Sequence, residues 1–111
     1  MPTHRQEIPP GTLDMLILKV LTRGTRLHGF EIANSIHAIS ESVLQVEEGS
    51  LYPALQRMLA KGWIEGEWDK TPENRRARYY SVTRLGRKQL EAEMDRYRQV
   101  SIAIGRILQQ A

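Results

Sequence analysis

The chain is predicted to be mainly α-helical with one small β-hairpin. Two observations carry that prediction. Four segments place apolar residues at helical spacing between capping and stop residues. Two short segments, Trp63 to Trp68 (WIEGEW) and Ala77 to Val82 (ARYYSV), alternate with a period of two instead. At 111 residues the chain has room for one domain with one modest core.

Each element follows from its residues. Pro9 and Pro10 end an extended leader, residues 1–10. Thr12 is expected to cap the first helix by accepting from an orphan N–H, and Asp14 suits the positive end of its dipole. Leu13, Leu16, Ile17, Val20 and Leu21 form its stripe, and Gly24 is expected to stop it, with Arg23 in the last turn. A brief link, TRLHG, leads to a second helix near Phe30 to Ile39, whose stripe is Ile32, Ile36 and Ile39 with Ala33 beside it. His28 precedes that helix and can cap it. Ser40, Glu41 and Ser42 break the pattern, and Val43 to Val46 reads as a strand stub.

The third helix is expected from Gly49 or Ser50, behind Glu47 and Glu48 as capping residues. Pro53 then falls in the first turn, where a missing N–H costs nothing. Leu51, Leu55, Met58 and Leu59 face inward; Tyr52, Gln56, Arg57, Ala60 and Lys61 occupy the other faces. Gly62 provides a left-handed stop and leads straight into the first hairpin strand. Between the strands, DKTPENRR is too long for a tight two-residue turn, so the hairpin has an extended, basic tip. Tyr79 and Tyr80 point to opposite faces, one to the core and one outward.

Thr83 caps a last helix that runs to about Gln109. Leu90, Met94, Tyr97, Ser101, Ile104 and Leu108 step by four and three, which is heptad spacing with one polar interruption. Such a helix packs on its own domain or pairs with another chain. The expected organisation is a leader (1–10), a helix–helix–helix–hairpin domain (11–83) and a C-terminal helix (84–111).

Composition narrows the function. Hydrophobic content of 41% and charged content of 26% are ordinary for a globular protein. No apolar run approaches a membrane span, and MPTHRQEIPP lacks the apolar centre of a signal peptide. The absence of cysteine rules out disulfides and thiolate metal sites, and suits a reducing cytoplasm, the expected location. His4, His28 and His37 show no ligand spacing with acidic partners, so no metal is expected. Glu65 and Glu67 share a strand face without any neighbouring sign of acid–base chemistry. No nucleophile motif, phosphate loop or cofactor fingerprint occurs; neither enzymatic activity nor a cofactor is expected.

Net charge is +3, and its placement matters more than its size. Between Asp69 and Lys88 stand seven basic residues against two acids, a local excess of five that exceeds that of the whole chain. A focused cationic patch is the footprint of a polyanion site. Helix, helix, helix, strand, strand, helix is the plan of a winged helix-turn-helix, in which the third helix enters the major groove of duplex DNA and the hairpin, or wing, reaches the backbone or minor groove. Ser50 and Tyr52, in the first turns of that helix, have hydroxyls suited to phosphate. Gln56 is one turn on and suits adenine, and Arg57 suits guanine or phosphate. Lys61, Arg75, Arg76 and Arg78 supply charge neutralisation. Single-stranded RNA is a weaker alternative for the tyrosines among arginines, because the preceding helix pair suits a duplex.

The segments GTLDMLILKVL, LHGFEIA, EEGSLYPALQRMLAKGWIEGEW and NRRARYYSVTRLGRKQL, over roughly residues 9 to 90, resemble PadR-family transcriptional regulators. Phe30 stands where that pattern often has tyrosine. The resemblance, with one short C-terminal helix, implies the compact subfamily: a homodimeric repressor, paired through Leu90, Met94, Tyr97, Ser101, Ile104 and Leu108, bound to an inverted repeat in double-stranded DNA and released by a small-molecule effector. It does not carry over a drug-stacking site between tryptophans of the dimerisation helix. Trp63 and Trp68 are both on the first wing strand, and Tyr97 is the last helix's only aromatic. The alternative is a winged-helix protein–protein module without a DNA target.

Overall fold

The structure, a computed structural model, describes residues 6–110; His4 and the start of the leader lie outside the described residues. The elements are β1 (Gln6–Glu7), α1 (Leu13–Leu21), β2 (Leu27–His28), α2 (Gly29–Ile39), β3 (Leu44–Gln45), α3 (Glu48–Ala60), β4 (Ile64–Lys70), β5 (Arg76–Val82) and α4 (Arg84–Leu108).

Helix α1 is the centre of the core. Met15, Ile17, Leu18, Val20 and Leu21 are all buried, so more than one face of the helix is covered. The expected stripe omitted Met15 and Leu18, because α2, α3 and α4 pack around α1 from several sides. Its ends also differ from expectation. The Thr12 hydroxyl donates to the Pro9 carbonyl (2.7 Å) and does not cap α1. Gly11, at φ +83°, takes the left-handed position of the Pro9–Thr12 turn. The helix ends at Leu21 and not at Gly24, with the Thr22 hydroxyl closing on the Lys19 carbonyl at 2.7 Å.

Helix α2 is held at its start by a reciprocal cap. The Glu31 backbone N–H donates to His28 Nδ1, and the His28 backbone N–H donates to the Glu31 carboxylate. Ile32 and Ile36 are buried, whereas Ile39, expected in the same stripe, is 53% exposed on the last turn. Glu41 and Ser42, both left-handed, reverse the chain into β3, which pairs in parallel with β1 from the leader.

Helix α3 starts at Glu48, one or two residues earlier than expected, which moves Pro53 into the second turn. Pro53 has no N–H to donate to the Gly49 carbonyl one turn back, so the helix forgoes one hydrogen bond there. Leu51, Ala54, Leu55 and Met58 face the core. Gly62, at φ +76°, ends the helix as expected.

The sheet has three strands, in the order β2-β5-β4, where two were expected. The link TRLHG supplies the third: Leu27 pairs with Tyr80 and His28 with Tyr79. Strands β4 and β5 stay in register from Ile64↔Val82 to Lys70↔Arg76. The tip is tighter than expected. Thr71 donates to the Arg75 carbonyl and Asn74 to the Thr71 carbonyl, with Asn74 in the left-handed region at φ 65°.

Helix α4 is capped by Thr83, whose hydroxyl oxygen accepts from the Gly86 N–H at 3.0 Å. Gly86 is required by packing: a Cβ there would lie 2.0 Å from the Trp63 carbonyl oxygen. Leu90 is buried in the core, and Met94 packs against it. The helix then leaves the domain. A compact chain of this length has a radius of gyration of about 13 Å; the observed 15.5 Å and 57 Å long axis record that projection.

Candidate nucleic-acid interface

The site is a groove between the exposed face of α3 and the front of the wing. Ile64, Gly66, Trp68 and Lys70 of β4 share a strand face with Arg76, Arg78, Tyr80 and Val82 of β5. Ile64 and Tyr80 anchor this face in the core, and burial raises the Tyr80 phenol above its ordinary pKa. Toward the tip the same face becomes cationic and aromatic, and closes with α3 a cavity of about 470 Å³. Tyr52 and Gln56 line it from the helix; Trp68, Arg75, Arg76 and Arg78 line it from the wing.

Packing within the chain holds several of these side chains. The Tyr52 ring stands on Gly29, where a Cβ would meet the phenol oxygen at 3.1 Å. This contact links the HG and SLYP segments physically. The Arg78 guanidinium crosses Gly66, where a Cβ would lie 2.5 Å from its Nε. That Nε is buried and unpaired, so what Arg78 offers a ligand is the outer guanidinium edge. Trp68, 58% exposed, is faced by Arg76 Cζ at 4.6 Å and Arg78 Cζ at 5.9 Å from its ring centroid. The indole thereby limits where two cations point.

Ser50, Tyr52, Gln56, Lys61, Arg75 and Arg76 are exposed and Arg78 is half-buried. Arg57 is turned away from the groove, toward α1: its Nη2 pairs with Asp14 Oδ1 at 3.0 Å. Forty-three positions separate those partners, and no local pattern announces the pair. Lys61 lies beside the base of the wing, with its amine 4.6 Å from the Trp63 ring centroid. Trp63, expected on the first wing strand, immediately precedes β4 and is half-buried against the core. Phe30, at 68% exposure, also lines the groove, which sequence reasoning noted only as a departure from a pattern.

The expected pairing residues of α4 divide. Leu90 is 6% exposed and belongs to its own chain's core, so little of it is left for a partner. Met94 is half-buried beside it. Tyr97, Ser101, Ile104 and Leu108 are exposed, as are Val100 and Ile107, which add to the same face at 3.6 residues per turn. Among the described residues no helix is long and apolar enough to cross a membrane, and no group of histidine, cysteine and carboxylate side chains is arranged to hold a metal.

Known proteins share this architecture. Residues 17–92 match the model of the transcriptional regulator PadR-like family. A PadR-like transcriptional regulator from Bacillus cereus is 29% identical, with a TM-score of 0.74 over 91% of this chain and 95% of that one. A PadR family transcription regulator from Clostridium difficile is 28% identical, with a TM-score of 0.73 over 88% of this chain and 99% of that one. An uncharacterised protein of Lysinibacillus sphaericus is 31% identical over 86 residues, 78% of each chain. Winged-helix architecture and family match agree, and the chain belongs to the PadR-like family of DNA-binding transcriptional regulators.

Proposed function

We propose that the chain is a cytoplasmic homodimeric repressor that binds an inverted repeat in double-stranded DNA and is released by a small-molecule effector. One observation carries this reading. A single chain has an aromatic groove edged by arginines at one pole and an uncovered aliphatic stripe on a projecting helix at the other. Fully covering a leucine- or isoleucine-sized side chain stabilises by roughly 1.5–3 kcal/mol. Tyr97, Val100 and Ile104 forgo about half of that in an isolated chain, Ile107 and Leu108 more, and a second copy supplies the same stripe in return.

In the dimer each α3 enters one major groove, with centres about 34 Å apart along the duplex. Gln56 reads a base edge, Ser50 and Tyr52 position the helix on phosphate, and Arg75, Arg76 and Arg78 neutralise the backbone. An effector acts by changing the separation of the two α3 helices. The test is a gel shift of the purified protein on the DNA upstream of its own coding region. A retarded complex that survives excess random duplex, with two protomers per inverted repeat, is the expected result.

The exposed aromatics Phe30, Tyr52 and Trp68 around the groove favour one alternative, a docking surface for another protein. Salt separates the readings. Phosphate neutralisation makes binding fall steeply with salt, whereas aromatic docking on a protein is nearly insensitive to it.

A further inference from the structure

The back of the wing is chemically opposite to its front. Glu65, Glu67 and Asp69 of β4 share that face with Ala77, Tyr79 and Ser81 of β5. Near a polyanion, carboxylates on the wing oppose binding. The hairpin is also poorly braced. Strand β2 flanks β5 only at Tyr79 and Tyr80, so from Arg78 to the tip the wing is two strands without a third.

Arg26 addresses both problems. It immediately precedes Leu27, whose partner is Tyr80, so its backbone stands at the wing's root. From there its side chain runs outward across β5. The guanidinium lies 4.5 Å from the Tyr79 ring centroid and reaches both carboxylates beyond, Nη1 to Glu67 and Nη2 to Asp69. Tyr79 in turn meets the His28 ring edge-on at 5.2 Å, and His28 is the cap of α2. A planar fork on a rigid stack suits this task, because it holds two acceptors at once in one orientation.

We infer that Arg26 is a positioning residue for DNA binding: a diagonal brace that fixes the angle of the wing relative to α2 and α3 and offsets part of the charge of two back-face acids. It touches no DNA in this arrangement, since it lies on the face opposite Arg76 and Arg78. The inference rests on the DNA-binding reading above.

The experiment measures duplex affinity across a salt series for wild type, Arg26→Ala, Arg26→Lys and Arg76→Ala, with amide exchange followed over residues 64–82. Arg26→Ala is expected to weaken binding roughly fivefold at fixed salt, as loss of a small charge network does, while the salt slope stays at the wild-type value. Exchange should accelerate in the outer wing only, and Arg26→Lys should recover part of the loss. In a Glu67→Ala/Asp69→Ala background, Arg26→Ala should change exchange far less than in wild type, because both acceptors of the brace are already gone. Unchanged affinity overturns the inference. So does a slope reduced by about 0.9, as Arg76→Ala should show, which makes Arg26 a phosphate contact. So does an equal effect of Arg26→Ala in both backgrounds. Wild-type protein that binds no duplex defeats the DNA-binding reading itself, a result separable from all of these.

Discussion

The two poles of the molecule are both exposed, but they differ in how much of each is finished within one chain. In the groove, Tyr52 rests on Gly29, Arg78 crosses Gly66, and Arg76 faces Trp68. Its cations are ordered by neighbours in the same chain and remain wet. On distal α4 one exposed stripe, Tyr97, Val100, Ile104, Ile107 and Leu108, is apolar, and helix geometry aligns it. Hydrated charge is stable at a surface, whereas a continuous aliphatic stripe is half of a contact. The groove therefore suits a polyanion, and the stripe is the face through which the proposed dimer pairs.

Substitutions separate the poles, and the largest effect lies where α4 leaves the core. Leu90→Ala should destabilise the fold by about 2–5 kcal/mol in denaturant unfolding, while Leu108→Ala changes the isolated protomer by less than about 0.5 kcal/mol. Equal effects would erase the boundary placed after Met94. Ile104→Glu comes next. It should weaken self-association about 100-fold, near 2.8 kcal/mol, in sedimentation experiments, without unfolding the domain. A dimer of wild-type strength would show that the stripe is not the pairing surface.

At the groove the effects are smaller and leave association untouched. Gln56→Ala should relax preference at one base pair by about 1–3 kcal/mol in a competition series of operator variants. Uniform loss across all variants would reassign Gln56 to backbone positioning. Arg76→Ala should weaken all duplexes alike and lower the salt slope by about 0.9; an unaltered slope would remove the wing front from the contact surface.

The smallest effect concerns the brace. Donation from Arg26, reinforced by the Lys70 backbone N–H, holds the Asp69 carboxyl below its ordinary pKa of 3.8. A carboxyl depressed in the folded state contributes stability above its unfolded pKa and loses it as pH falls through the folded value. Wild type should therefore show an acid-dependent decline in wing stability below about pH 4. Asp69→Asn should lack this component in a pH series of amide exchange.

Much of the architecture was legible in local residues. The Thr83 cap, the Gly62 stop, the His28 cap and the alternation of WIEGEW and ARYYSV all act within a few residues of themselves, so the chain displays them directly. The cationic wing was legible for the same reason, as a run of arginines. Local signals misled where a neighbour decided the outcome. Gly24 did not stop α1, because the helix had already ended at Leu21. Ile39 kept the α2 period but lay beyond the reach of the core.

Pairings across long separations lay outside that view. The alignment of β2 with β5, the ion pair of Arg57 with Asp14 and the reach of Arg26 to Glu67 and Asp69 each join residues at least 41 positions apart. Only the packed core brings such residues to one place. By itself the sequence determined the periodicities, the caps and the charge of each element, because these depend on backbone geometry over one or two turns. Tertiary structure decided which side of each periodicity meets a neighbour. One α4 stripe thus becomes core at Leu90 and open surface at Leu108, since the same spacing serves whatever partner the fold provides.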